Sequence, residues 1–153
     1  MTNEELKDRI HAAIPDLTLG ESADAADVIV SVDASGLHAV VAKLQGVGFD
    51  QLEMVTAVDR GEQFELVYIL HSLGMKAAVW VKSFVPRDAA KIASVTDLYS
   101  GANWPEREVF DLFGIEFDGH PDMRRIMLPL DFVGSPLRKD YTDPNIIPRP
   151  DYI

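Results

Sequence analysis

Three β-rich stretches lie almost end to end in this chain, at 51–58 (QLEMVTAV), 63–71 (QFELVYILH) and 76–85 (KAAVWVKSFV). Only Asp59-Arg60-Gly61-Glu62 and Ser72-Leu73-Gly74 divide them. Breaks so short and polar cannot hold a crossover, so the three must pair as antiparallel neighbours in a meander. In the second stretch Phe64, Leu66, Tyr68 and Leu70 alternate with Glu65, Val67 and Ile69. One side is therefore strongly apolar and the other mixed, which suits a sheet covered by helices on one face.

The flanking segments supply those helices. Thr2, Asn3 and Glu5 begin an amphipathic segment running through Ala13, with Leu6, Ile10 and Ala13 on one side and Pro15 as its stop. Residues 27–33 (DVIVSVD) form a short β-branched run. Ser35 then opens GLHAVVAKLQGVGF, where Leu37, Val40, Val41 and Leu44 recur at helical spacing and Gly46 and Gly48 close the helix. After the meander, Pro86 and Asp88 introduce a helix expected over about 87–98. Trp104-Pro105 leads into a second helix, EREVFDLFG, ended by Gly114. With 153 residues, 47% of them hydrophobic, one domain buries enough surface to fold. The expected class is α+β, a mainly antiparallel sheet packed with helices and followed by a long extended C-terminal tail. The expected division is a globular α/β domain over 1–114 and a partner-binding tail over 115–153.

That tail holds six of the nine prolines, at 121, 129, 136, 144, 148 and 150, and shows little periodicity. Forty residues of such chain must find backbone hydrogen bonds somewhere, so the tail is either disordered or ordered by a partner. Its content of Phe117, Met123, Ile126, Met127, Leu128, Leu130, Phe132, Val133, Leu137 and Tyr141 favours a partner, because disordered tails are poorer in such residues.

Composition excludes several functions. There are no cysteines, so a disulfide framework or a cysteine-ligated cluster cannot be built from this chain. Histidines 11, 38, 71 and 120 lack metal-ligand spacing. A formal charge of −11 opposes binding to nucleic acid or anionic lipid. No apolar run approaches the roughly 20 residues of a membrane span, and the start MTNEELKDRI is too charged for a signal peptide, so no direct membrane insertion is expected.

Two clusters carry functional signal. In the helix at 104–114, Arg107 and Asp111 stand i,i+4, the spacing of an intrahelical ion pair. Val109, Phe110, Leu112 and Phe113 crowd the same helix and force Glu106, Arg107, Glu108 and Asp111 partly inward, where tail arginines are the available partners. His120-Pro121-Asp122 with Arg124-Arg125 admits three readings: a catalytic or metal-binding His/Asp pair, a chaperone J-domain tripeptide, or a proline-fixed turn whose aspartate accepts hydrogen bonds. The turn is preferred. Pro136-Leu137-Arg138-Lys139-Asp140-Tyr141 reads as an anchor, with Leu and Tyr for burial and charges to fix register. No Ser/His/Asp set or glycine-rich phosphate loop is present.

The run WPEREVFDLFGIEFDGHPDMRRI at 104–126 resembles the signature of the thirty-kilodalton (30 kDa) subunit family of NADH:quinone oxidoreductase, respiratory complex I. The likeness continues through DFVGSPLRKDY at 131–141 and includes FELVY at 64–68 and SVTDL at 94–98. Phe132 stands where many relatives have tryptophan, and Ser135 where many have a larger polar residue. The resemblance implies a non-catalytic peripheral-arm subunit of a proton-translocating NADH:quinone oxidoreductase, at the cytoplasmic face of the cell membrane. It implies no cofactor on this chain, with NADH, FMN, iron–sulfur clusters and quinone on partner subunits. The implied partners are the large quinone-site subunit of the 49 kDa type, the small iron–sulfur subunit and other peripheral-arm subunits. Trp104, Glu106, Arg107, Glu108, Asp111, Gly114, His120, Pro121, Asp122, Arg124, Arg125, Pro136, Leu137, Arg138, Lys139 and Asp140 would then be structural and interfacial. The alternative is the same scaffold in a membrane-bound hydrogenase or an F420H2 dehydrogenase. Ending at Ile153, the chain is expected to be a stand-alone form rather than a fusion to the large subunit.

Overall fold

The meander forms as its short turns require. In a computed structural model that describes residues 2–21 and 28–147, β3 (Gln51–Asp59), β4 (Gln63–Ser72) and β5 (Ala77–Pro86) pair antiparallel in sequence. A bulge between Leu52 and Met54 interrupts β3, which lies at one edge of the sheet. On the other side of β5 lies β2 (Val28–Ser31), parallel to it, and then β1 (Thr18–Glu21), antiparallel to β2. The five-stranded sheet is therefore mixed. Strand β1 escaped the sequence reading because its four residues, Thr-Leu-Gly-Glu, carry no apolar alternation. Asp27 of the expected 27–33 strand lies outside the described residues.

Helix α1 (Asn3–Ala13) starts at a capping box: the Thr2 hydroxyl accepts from the Glu5 amide, and the Glu5 carboxylate accepts from the Thr2 amide. It buries Leu6 and Ile10, while Ala13 is exposed and Ile14, just past the helix, is buried in its stead. Helix α2 (Leu37–Val47) follows a 3-10 turn at Ala34–Gly36 and ends at Gly48, whose φ of +117° only glycine adopts without strain. Gly46 lies inside the helix. Both helices, with α3 (Asn103–Phe113), contribute to a single core on the Phe64, Leu66, Tyr68 and Leu70 side of β4. Val67 and Ile69 point to the opposite side and lie outside that core.

The helix expected over 87–98 is absent. Arg87–Ala89 is one 3-10 turn, and β6 (Lys91–Ala93) pairs parallel with β7 (Glu116–Asp118) in a second, two-stranded sheet. Two consecutive helices therefore do not follow the meander. Ile92 and Val95 are buried against the core, and pairing with 116–118 overrides the weak helical preference of a segment rich in Ser, Thr and β-branched residues. Ile115 and Phe117 are buried too, so residues 115–118 pack with the globular part.

The centre of β4 should show how strongly this core is held. Leu66 is fully buried, and Leu66→Ala is expected to cost about 3 kcal/mol in urea denaturation. The buried Tyr68 hydroxyl has no hydrogen-bond partner among the described residues, so Tyr68→Phe should leave stability unchanged or raise it in the same assay.

Candidate interaction site

Helix α3 carries three buried ionisable side chains, Glu106, Arg107 and Asp111, an arrangement that survives only if each finds a partner. Pro105 fits in its first turn, where a missing amide proton breaks no helical bond, and Gly114 ends it at φ +68°. A side chain at Gly114 would meet the Ser135 hydroxyl at 2.8 Å and the Arg138 guanidinium at 3.0 Å, so both conformation and space require glycine.

Each buried group reaches a different segment. Glu106 accepts from the Ser94 hydroxyl at 2.6 Å and the Val95 amide at 2.8 Å, tying the end of β6 to the helix. Its burial raises the carboxyl pKa to about 7 against the pull of those two donors. The Arg107 Nε donates to the Arg124 carbonyl at 3.0 Å, one terminal nitrogen lies 3.7 Å from Asp122, and the guanidinium sits over the Trp104 ring. Asp111 takes Arg125 at 2.7 Å on one oxygen and three consecutive amides, from Ile126, Met127 and Leu128, at 3.0, 2.7 and 2.9 Å on the other. Burial opposes ionisation of Asp111, but the Leu128 and Met127 amides, Arg125 and the Ile126 amide together hold its pKa below the usual value. Arg107 and Asp111 therefore do not form the intrahelical pair their spacing suggests. Four donors on one buried carboxylate satisfy it better than a single neighbour would.

The tail beyond Gly119 is pinned at several points. His120 Nδ1 accepts from the Asp122 amide at 3.0 Å, which leaves the proton on Nε2, bonded to the Asn103 carbonyl at 3.1 Å. Arg124 grips the Asp122 carboxylate with two bonds of 2.5 and 2.6 Å. With both imidazole nitrogens committed to backbone, this is the turn preferred on sequence grounds. Farther on, the Leu137 amide donates to the Leu112 carbonyl, and Arg138 donates to Phe113 and Gly114 carbonyls at the end of α3. The Lys139 amide donates to Asp59 at 2.8 Å, and Asp140 pairs with Arg87. Phe132 stacks on Tyr141, and Arg125 also donates to the Gly134 carbonyl. Of the sixteen residues named from the sequence, Trp104 joins this network through its ring beneath Arg107. Most of the others form it through hydrogen bonds or ion pairs, whereas Glu108 and Pro121 are exposed surface positions.

Sequence reasoning missed Asp59 and Arg87. Asp59 is buried at the end of β3 and accepts from Lys139, from the Gly61 amide at 2.8 Å and from Arg87 at 2.8 Å. The Lys139 and Gly61 amides, then Arg87, hold its pKa down at about 2 despite burial. Asp59 stands in a polar break, Asp59-Arg60-Gly61-Glu62, where an acidic residue is ordinary turn chemistry and gives no sign of a bond to Lys139, 80 residues onward.

Two variants test this network. Asp111→Ala leaves three tail amides and Arg125 without their acceptor, and amide hydrogen exchange at Ile126, Met127 and Leu128 should accelerate on the order of a hundredfold, equivalent to about 3 kcal/mol. For Glu106 the folded pKa of about 7 exceeds the ordinary 4.5, so between those values the folded state holds more proton than the unfolded. Stability from this group is therefore full below pH 4.5 and falls as pH rises to 7, by up to about 3 kcal/mol. Glu106→Gln should remove that slope in denaturation measured from pH 4.5 to 8.

Residues 30–145 match the family described as "Respiratory-chain NADH dehydrogenase, 30 Kd subunit". A subunit of the NADH-quinone oxidoreductase of Trichlorobacter lovleyi is 45% identical over 143 residues, covering 90% of this chain and 86% of that one. The corresponding subunit of Moorella thermoacetica is 43% identical over 130 residues, covering 83% and 86%. Among solved structures, the trypsin-resistant fragment of Nqo5 superposes with a TM-score of 0.69 at 30% identity, over 80% of this chain and 99% of that one. A chain of the membrane-bound sulfane sulfur reductase, an archaeal respiratory membrane complex, gives 0.75 at 26% identity, over 84% and 77%. The family match at 30–145 takes in most of the sheet and the pinned tail, and this chain belongs to the family of the 30 kDa subunit of respiratory-chain NADH dehydrogenase.

Proposed function

We propose that the chain is a non-catalytic scaffold of the peripheral arm of a proton-translocating NADH:quinone oxidoreductase, holding the quinone-site module in place while electrons pass from NADH to quinone. One observation carries this reading: the tail is fixed by backbone bonds to its own domain, yet it turns large apolar side chains outward. Leu130 and Val133 are 82% and 85% exposed, and Met127, Leu137 and Ile147 are exposed with them. Apolar side chains held outward on an ordered backbone lose little entropy when a partner covers them. The partners this favours are the large quinone-site subunit of the 49 kDa type and the small iron–sulfur subunit, with FMN, clusters, NADH and quinone carried by partner chains. His120 and Asp122 are consumed by structural bonds, which favours a role without chemistry of its own. Among the described residues no helix is long and apolar enough to cross a membrane, in keeping with a peripheral place at the cytoplasmic face.

A second reading keeps the scaffold and changes the machine. The likeness to a chain of the sulfane sulfur reductase shows that this fold also serves in another membrane-bound respiratory complex, so a membrane-bound hydrogenase or an F420H2 dehydrogenase is the alternative setting. Co-purification of the tagged chain from its native membranes, with an NADH:quinone assay, separates the two. Recovery of cluster-bearing and quinone-site subunits with NADH activity is expected. The double variant Leu130→Asp/Val133→Asp should abolish that recovery while shifting the melting temperature of the isolated chain by less than about 2 °C, because neither side chain is buried in it.

A further inference from the structure

Acidic residues outnumber basic ones by 25 to 14, and arginines withdrawn from solvent find carboxylates accordingly. Arg87 meets Asp59 and Asp140, Arg107 meets Asp122, and Arg125 meets Asp111. Arg138 is half-buried as well, but its bonds go only to the Phe113 carbonyl at 2.6 Å and the Gly114 carbonyl at 3.4 Å, with the Phe64 ring 5.0 Å away. Capping the C-terminus of α3 explains one edge of the guanidinium fork. The remaining terminal nitrogen, Nη1, has no acceptor among the described residues.

Arg138 also lines an open cleft of about 410 Å³ together with Arg87, Lys91, Gly114, Asp88 and Glu116. Arg87 is held by its two aspartates, while Lys91 is exposed and contacts Asp118 at 2.8 Å and Glu116 at 4.0 Å. Of the three cations that line the cleft, Arg138 is the one without a carboxylate of its own among the described residues, on a chain of net charge −11. Directly before Arg138 in the chain, Leu137 is exposed.

We propose that this cleft receives an aspartate or glutamate side chain of a partner subunit, which bonds to the open edge of Arg138 and is drawn in by Lys91. The inference rests on the subunit role proposed above and names the chemistry of one contact. A planar carboxylate fits a guanidinium edge bidentately, and the aromatic wall of Phe64 behind it strengthens the pair by excluding water. A partner surface that brings such a carboxylate also covers Leu137, adding apolar burial that a free phosphate ion cannot supply.

Zero-length carbodiimide coupling in the complex purified from native membranes, followed by peptide mass spectrometry, tests this. The reagent joins a lysine amine only to a carboxylate in contact with it. Coupling of Lys91 to an aspartate or glutamate of a partner subunit is expected, reduced at least tenfold in complex carrying Arg138→Gln. Coupling of Lys91 to Asp118 or Glu116 alone, in a preparation that contains the partner subunits, overturns the inference and leaves the scaffold reading intact. Recovery of the chain without partners overturns the scaffold reading itself, and this inference with it. Should Arg138→Gln fail to assemble, the native complex decides the question alone.

Discussion

Asp111 accepts three successive tail amides and a guanidinium on a carboxylate that water does not reach, and the rest of the interaction surface depends on that arrangement. An unpaired carboxylate at this depth would cost several kcal/mol, and an aperiodic tail would leave its amides unsatisfied. Each deficiency removes the other. The helix obtains partners for its charge, and residues 126–128 obtain the hydrogen bonds that no helix or strand of their own provides. Asp59 repeats the device from the end of β3, where the Lys139 amide takes the place of a sheet partner. Two buried carboxylates on separate elements therefore fix the tail at both ends of its 125–139 span.

A tail attached in this way differs from one that waits for its partner. For the tail as a whole, sequence reasoning offered disorder or order imposed from outside; it named tail arginines as partners for the helix charges, as Arg125 is for Asp111, but not the helix as acceptor for the tail's backbone amides. The distinction bears on function. A segment already ordered presents Leu130 and Val133 in fixed positions, and a partner that covers them gains apolar burial without first having to order the backbone. The motif residues thus divide into those that hold the tail, such as Asp111, Arg125 and Asp59, and the exposed apolar ones between them that remain available.

Much of this was legible in the sequence, for reasons that are local. The meander could be read because its breaks are too short for any other pairing, and α1 because Thr2, Glu5 and Pro15 mark both of its ends. Gly114 announced its helix terminus by being glycine after a run that no other residue ended. Apart from Gly46 and Ala13 at helix ends, the failures are non-local. Residues 87–98 resemble a helix until 116–118 pair with them, and β1 becomes a strand only through β2. Arg107 and Asp111 have the spacing of an ion pair, yet each bonds to chain 14 to 17 residues onward. Spacing tells which side chains share a helix face, and says nothing of what packs over that face.

The central claim is that the tail is ordered by its own domain before any partner arrives. Backbone nitrogen-15 relaxation on the isolated chain measures this directly. Order parameters for residues 122–141 near those of β4, about 0.85, are expected. Values below about 0.6 across that span, with β4 still rigid, would contradict the account and return the ordering of the tail to a partner.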